Sequence, residues 1–533
     1  MRDCSAGTTP SGLRWPLVRG PWRCCGSCST WDWRRSANLL VLWNNRDSAH
    51  ALPGRSTNLN PASGTVLLGA LQQAAAFTLP LHLPAHGRGR GFPPALTALL
   101  GRPLGPLDLP ELPSLGGPLL PHGAVAEAQQ ATARLWGSRC CWFGVNGSTG
   151  LLQAALLGAL RPGQRLLCPR NLHRSVLHGA VLAGLEPVYY TLPFSRRWGL
   201  SQPVDVGWFQ RVLAALTARN CSVDLVLLVN PTYQGLSAPL TPLVRLCHSR
   251  GLPVLVDEAH GSHFRAHAAL PPDALAAGAD LVVHSTHKSL PGLTQTAVLH
   301  SSGGRISRED LEQGLLLLQT SSPSALLLAA TELAAAWPHQ QPQASRLLSR
   351  ALDRWSRWRQ QLTRTGWLVS PSDDPLRLRL CTMPWGRSGL GLDERLLRLG
   401  IAGELPEPAG LTFYLGFQPP RRALGQLQNA LGQLHWSPLN PPGLMEALQP
   451  APTPLLARAA VPPRSAWFGP TRRLPLKQAV GQVVAEAITP YPPGIPLLLP
   501  GERLDEERYA WLLHHRHPGQ HPGGMLDTVK VLR

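Results

Sequence analysis

Residues Leu252–His300, LPVLVDEAHGSHFRAHAALPPDALAAGADLVVHSTHKSLPGLTQTAVLH, decide how the chain is read. Two short runs, Val254-Leu255-Val256 and Leu281-Val282-Val283, are apolar and β-branched without polar alternation, the pattern of parallel strands covered on both faces. Each breaks off into polar chemistry, Asp257-Glu258-Ala259-His260 after the first and His284-Ser285-Thr286-His287-Lys288 after the second. Ligands of open α/β sheets sit beyond the carboxyl ends of the strands, so the two clusters are expected to face one crevice.

Lysine usage singles out one residue of that crevice. The 50 basic residues comprise 47 arginines and three lysines, Lys288, Lys477 and Lys530. A guanidinium stays protonated and cannot form an imine, whereas a desolvated lysine amine can lose its proton and attack a carbonyl. Lys477 reads as a surface charge opening a helix that runs to Ala487, and Lys530 lies in a polar tail, which leaves Lys288 in the site-like context. A lysine that can make a Schiff base, a carboxylate for a pyridinium nitrogen and hydroxyls for a phosphate are what pyridoxal 5'-phosphate requires.

Working outward, the strand Cys141–Val145 runs into Asn146-Gly147-Ser148-Thr149 and then a helix, so first-turn amides and hydroxyls make an anion site. The tripeptide Gly147-Ser148-Thr149 is of a kind that caps helices in many loops. The strand Arg165–Cys168 delivers Arg170-Asn171-Leu172-His173-Arg174-Ser175 to the same edge, where His173 either meets the ligand or caps the following helix. Strands and helices alternate across residues 140–300, which predicts an α/β fold with a mostly parallel sheet. Further on, Leu376-Arg377-Leu378-Arg379-Leu380 alternates like a half-buried strand.

The blocks DEAHGSHF (257–264), STHKSLPGLTQTA (285–297) and YPPGIPLLLPGE (491–502) carry a resemblance. The chain resembles the Orn/Lys/Arg decarboxylases of the fold type I pyridoxal-phosphate enzymes, from about Leu79 to about Glu507. That resemblance implies a fold type I large domain with smaller C-terminal α/β parts, pyridoxal 5'-phosphate as cofactor, and decarboxylation of arginine, lysine or ornithine to the amine, feeding polyamine metabolism. It implies Lys288 and His173 as catalytic residues, His173 stacked on the cofactor ring, Asp257 at the pyridine nitrogen, and Ala259 at the ring face with His260 nearby. Gly147, Ser148, Thr149, Ser285 and His287 would hold the phosphate, which Ser321 or Ser322 of a neighbouring subunit completes in a homodimer. The chain departs from the family at Gly116-Gly117, where an acidic pair is usual, leaving Asp108 and Glu111 as local carboxylates, and at Arg174, where lysine is usual. Another fold type I reaction, transamination or β-elimination, is one alternative, which carbon dioxide release separates, and a catalytically silent binding homologue is the other, which absence of a visible-range aldimine band would favour.

The 533 residues suffice for several domains, and the formal charge of +19 comes from dispersed arginines rather than a basic block, so no nucleic-acid partner is expected. Ten cysteines fall irregularly, with one Cys25-x-x-Cys28 lacking a second pair, so no metal site is expected, and the six beyond residue 28 read as reduced and buried, as in the cytoplasm. No apolar run approaches the roughly 18 to 20 residues a membrane helix needs. The expected divisions are an extension outside the fold over 1–65, a cofactor-binding domain over 66–335, a small α/β domain over 336–437, a proline-rich linker over 438–463 and a C-terminal domain over 464–533.

Overall fold

Alternating apolar residues along each short strand go to opposite faces of one sheet, and the helices that follow cover both. The computed structural model describes residues 66–76, 81–101, 104–339, 343–418, 422–436, 450–490, 494–514 and 527–533; the expected extension over 1–65 and the linker residues 438–449 lie outside them. The main strands are β1 (Cys140–Gly144), β2 (Arg165–Pro169), β3 (Glu186–Tyr190), then a short hairpin of β4 (Phe194–Ser195) and β5 (Leu200–Ser201). They continue with β6 (Leu225–Val229), β7 (Val254–Asp257), β8 (Leu281–Ser285) and β9 (Ala297–Ser301). The sheet order is β1-β9-β8-β7-β6-β2-β3, with β8, β7, β6, β2 and β3 mutually parallel and β9 antiparallel to both neighbours.

Leu166, Leu227, Leu255 and Val283 pack against the helices Gly147–Ala159, Arg174–Ala183 and Arg308–Leu318. Leu167, Val226, Val256 and Val282 face the helices Val206–Ala218 and Leu240–His248. Burial on both faces is why these strands read as unbroken apolar runs. Gly158 and Gly314 let two of the covering helices touch, since a Cβ at Gly314 would lie 2.3 Å from the Ala154 carbonyl oxygen.

The smaller domain follows the 22-residue helix Gln343–Arg364. Its antiparallel sheet has the order β10-β11-β13-β12, from β10 (Leu368–Val369), β11 (Arg377–Cys381), β12 (Leu405–Glu407) and β13 (Gly410–Tyr414). Trp355, Trp358, Leu378, Leu380, Leu392, Leu411 and Leu427 form its core. The expected alternation in β11 is corrected: Arg377 and Arg379 are only 2% and 1% exposed. Their charge is matched inside, Arg379 by Glu407 at 2.8 Å and Arg377 by Asp374 at 3.5 Å.

The C-terminal part differs from expectation in two places. Within the proline-rich stretch, β14 (Leu456–Arg458) pairs antiparallel with β3 and becomes the eighth strand of the main sheet. The helix expected over Lys477–Ala487 is a short 3-10 turn, Leu476–Ala479, followed by isolated bridges from Val483 to Arg503 and from Val484 to Val531. Gly481, at φ +80°, and the β-branched Val483-Val484 pair disfavour helix there. Lys530, read as part of a polar tail, sits in β16 (Thr528–Leu532), which pairs with β15 (Thr471–Pro475).

Candidate active site

The pleat sorts the two polar clusters. Asp257 continues the parity of Leu255 and lies on the face of the helix Gly147–Ala159, while His284, in register with Val282, lies on the other. There Glu258 Oε2 and His284 Nε2 are 2.8 Å apart, both side chains fully buried. Burial pushes the Glu258 carboxyl well above its ordinary range and the His284 imidazole down to about 3, so a neutral hydrogen-bonded pair braces the ends of β7 and β8. Of the expected convergence, Glu258 and His284 are thus structural.

The cavity beyond those strand ends, about 1280 Å³, is lined by Ser148, His173, Asp257, Ala259, His260 and Lys288 among others. Ser285, fully buried, donates its hydroxyl to Ser148 Oγ at 2.7 Å, behind the start of the helix Gly147–Ala159. Gly147, at φ +65°, turns the chain from β1 into that helix. Thr149 and His287 are not brought to the cavity wall; His287 Nδ1 meets the Thr296 carbonyl at 3.0 Å. His173 caps the following helix, Nδ1 accepting the Ser175 amide at 3.2 Å, and its ring lines the cavity. Burial lowers its pKa against the opposing pull of Asp257. Ser321 and Ser322 lie on an exposed turn away from that wall, where Ser322 N donates to Thr320 Oγ1 at 3.2 Å.

Lys288 stands on the one-turn helix Thr286–Ser289, its Nζ 3.2 Å from His260 Nε2. Burial lowers its pKa, helped by Arg377 and opposed by Asp257 and Glu404. The Tyr233 ring packs on His260 with centroids 4.4 Å apart, and its hydroxyl donates to Glu404 Oε1 at 2.6 Å. Tyr233, Glu404 and Arg377 escaped the sequence reading because they come from a loop and from the second domain; the Tyr233 signal was its place after β6, at the same sheet edge. Lys530 also lines the cavity, so Lys288 is joined there by a second lysine. A buried ion pair, Arg170–Glu502, fixes the loop that carries His173 to the C-terminal part. At Gly117 a Cβ would sit 1.8 Å from Glu111 Oε1, so the Glu111 carboxyl occupies the space a side chain there would fill.

A buried carboxylate, paired hydroxyls at a helix start, a flanking imidazole and a lysine with a lowered pKa are the donor set that a phosphorylated pyridine aldehyde requires, and the residues fit it. Among the described residues no group of three or more histidine, cysteine or carboxylate side chains is placed to hold a metal, and no helix is long and apolar enough to cross a membrane.

The chain is similar to several known decarboxylases. An arginine decarboxylase of Halalkalibacterium halodurans is 31% identical over 479 residues, covering 87% of this chain and 96% of that one. The constitutive lysine decarboxylase of Escherichia coli is 25% identical over 514 residues, 77% of this chain and 71% of the other. The crystal structure of lysine decarboxylase LdcF from Francisella novicida superimposes with a TM-score of 0.74 at 19% identity, over 88% of this chain and 81% of that one, which establishes the fold as type I. The family profiles described as Orn/Lys/Arg decarboxylase, major domain, and Orn/Lys/Arg decarboxylase, C-terminal domain, match residues 68–377 and 449–525, and the chain therefore belongs to the Orn/Lys/Arg decarboxylase family.

Proposed function

We propose that the protein decarboxylates a basic amino acid, arginine, lysine or ornithine, with pyridoxal 5'-phosphate, and that the amine released feeds polyamine metabolism in the cytoplasm. The observation that carries this reading is one cavity with Lys288, Asp257 and His173 on the large-domain side and the Glu404 carboxylate on the small-domain side. When bound, the cofactor supplies an electron sink for the pair left by the departing carboxylate. Lys288 would hold it covalently, and Asp257, an acceptor when ionised, would keep its ring nitrogen protonated. Ser148, at the cavity wall and backed by Ser285, Gly147, Thr149 and His287, would anchor the phosphate at the helix start. His173 would lie flat on the ring opposite Ala259, its Nδ1 already engaged by the helix cap, so that the Nε2 proton faces the ligand. Glu404, oriented by Tyr233, would meet the distal cation of the substrate, the one feature that separates basic from other amino acids.

The active unit in this reading is a homodimer whose phosphate site is completed by Ser321 or Ser322 from the partner, supported by the exposure of that turn. The decisive experiment supplies purified protein and cofactor with arginine, lysine and ornithine in turn and measures carbon dioxide and amine. Release of one amine with stoichiometric carbon dioxide is expected; turnover to a keto acid, or none from all three, overturns the reading.

A further inference from the structure

Behind Lys288 the small domain places a group that can only donate. Arg377 is 2% exposed and reaches the cavity through His260, with Nη2 3.1 Å from His260 Nδ1. Its guanidinium is pinned: Cζ lies 4.4 Å from the centre of the Tyr414 ring and Nε 3.5 Å from Asp374 Oδ2. The other oxygen of Asp374 is 3.1 Å from His263 Nε2. A guanidinium has N–H donors, no acceptor and no accessible deprotonation. His260 Nδ1 must therefore accept.

A neutral imidazole carries one proton, and with Nδ1 accepting, that proton is on Nε2, which is 3.2 Å from Lys288 Nζ. An ammonium group offers three donors and no lone pair, so it cannot satisfy an N–H directed at it. A neutral amine can. Both contacts of His260 are made together when Lys288 is the free amine, and they compete when it is charged.

We propose that Arg377 is a positioning residue that fixes His260 as its Nε2–H tautomer and thereby holds Lys288 as a neutral, nucleophilic amine. The other groups around this pair act by charge: Asp257 and Glu404 favour the ammonium, and His173, His287 and Arg377 itself oppose a cation on His260. Burial is the largest influence on both residues, lowering both pKa values. Arg377 thus has two routes to Lys288, its field and the tautomer, and they are separable by experiment.

The inference rests on the reading of Lys288 as the cofactor lysine for its significance, but its test uses cofactor-free, full-length protein and fails separately. Trace acetic anhydride labels free amines, and mass spectrometry of the Lys288 and exposed Lys477 peptides, from about pH 6 to 10, gives the fraction of neutral amine at Lys288. His260→Phe and Arg377→Met are each expected to reduce labelling of Lys288 at neutral pH by about tenfold, with the double variant falling much less than a further tenfold below His260→Phe alone, the remainder being the field of the arginine. If Arg377→Met lowers labelling by the same factor in the His260→Phe background, the arginine acts by its field and the proposal is wrong. Should Arg377→Met not fold, His260→Gln decides: its carbonyl faces Arg377 and its amide N–H faces Lys288, so labelling should stay near wild type. Equal loss in His260→Gln and His260→Phe overturns the proposal.

Discussion

Lys288 and Glu404 both line one cavity, and their substitution separates covalent from electrostatic roles. Lys288→Arg replaces the amine with a guanidinium that stays charged and cannot form an imine, so the folded variant should no longer incorporate cofactor on borohydride reduction. Peptide mapping checks this; label appearing at Lys530, which shares the cavity, or at Lys477 would relocate the site. Glu404→Gln keeps the hydrogen bond from Tyr233 and removes the charge. A charge-assisted bond is worth roughly 1.5 kcal/mol or more, so KM for the basic substrate should rise about tenfold with a smaller change in kcat. An unchanged KM would show that the distal cation is held elsewhere.

Among elements, the helix Val66–Ala75 is tied to the large domain by Glu332, whose carboxylate accepts the amides of Leu67 at 3.1 Å and Leu68 at 3.3 Å. Burial raises the Glu332 carboxyl from 4.5 to about 7 despite those bonds. With the folded pKa above the unfolded one, its contribution to stability is fully present below about pH 4.5 and is lost as pH rises through about 7. Glu332→Gln should flatten the dependence of Tm on pH in that window; an unaltered slope would assign the dependence to other groups. The strands of the main sheet were legible because burial on both faces leaves an unbroken apolar run. β11 was legible as a strand but its burial was not, since an arginine inside a domain and one facing water alternate identically along a sequence. What distinguishes them is Asp374 and Glu407, and the 28 residues from Arg379 to Glu407 carry no periodicity that announces the pair. β14 escaped for a plainer reason: three residues flanked by prolines fall below any pattern a strand can show. Within the site, the chemistry at strand ends was readable, but Glu404 and Tyr233 meet through the packing of two domains.

For the whole molecule, the dimer reading makes a complementation test possible. In a mixture of Lys288→Ala with a Ser321/Ser322 double alanine, one site of each mixed dimer carries both lesions and the other neither. Losing a charge-assisted bond weakens cofactor affinity by about ten- to a hundredfold, so activity at limiting cofactor should partly return on mixing. Confirmed subunit exchange without any return would mean that each turn serves its own subunit. The pairing of β14 with β3 also has a consequence for how the chain is made. Tyr190 leaves the ribosome long before its partner Leu456, so β3 waits as an open edge while the whole small domain is synthesised. A protein ending after the small domain, at residue 436, keeps every cavity residue of the large domain yet bares that edge, and sedimentation should find it aggregated. Extending it through β14 and the helix Pro463–Phe468, which packs on the helix Arg174–Ala183, should return it to solution, making a three-residue strand the checkpoint between synthesis and solubility.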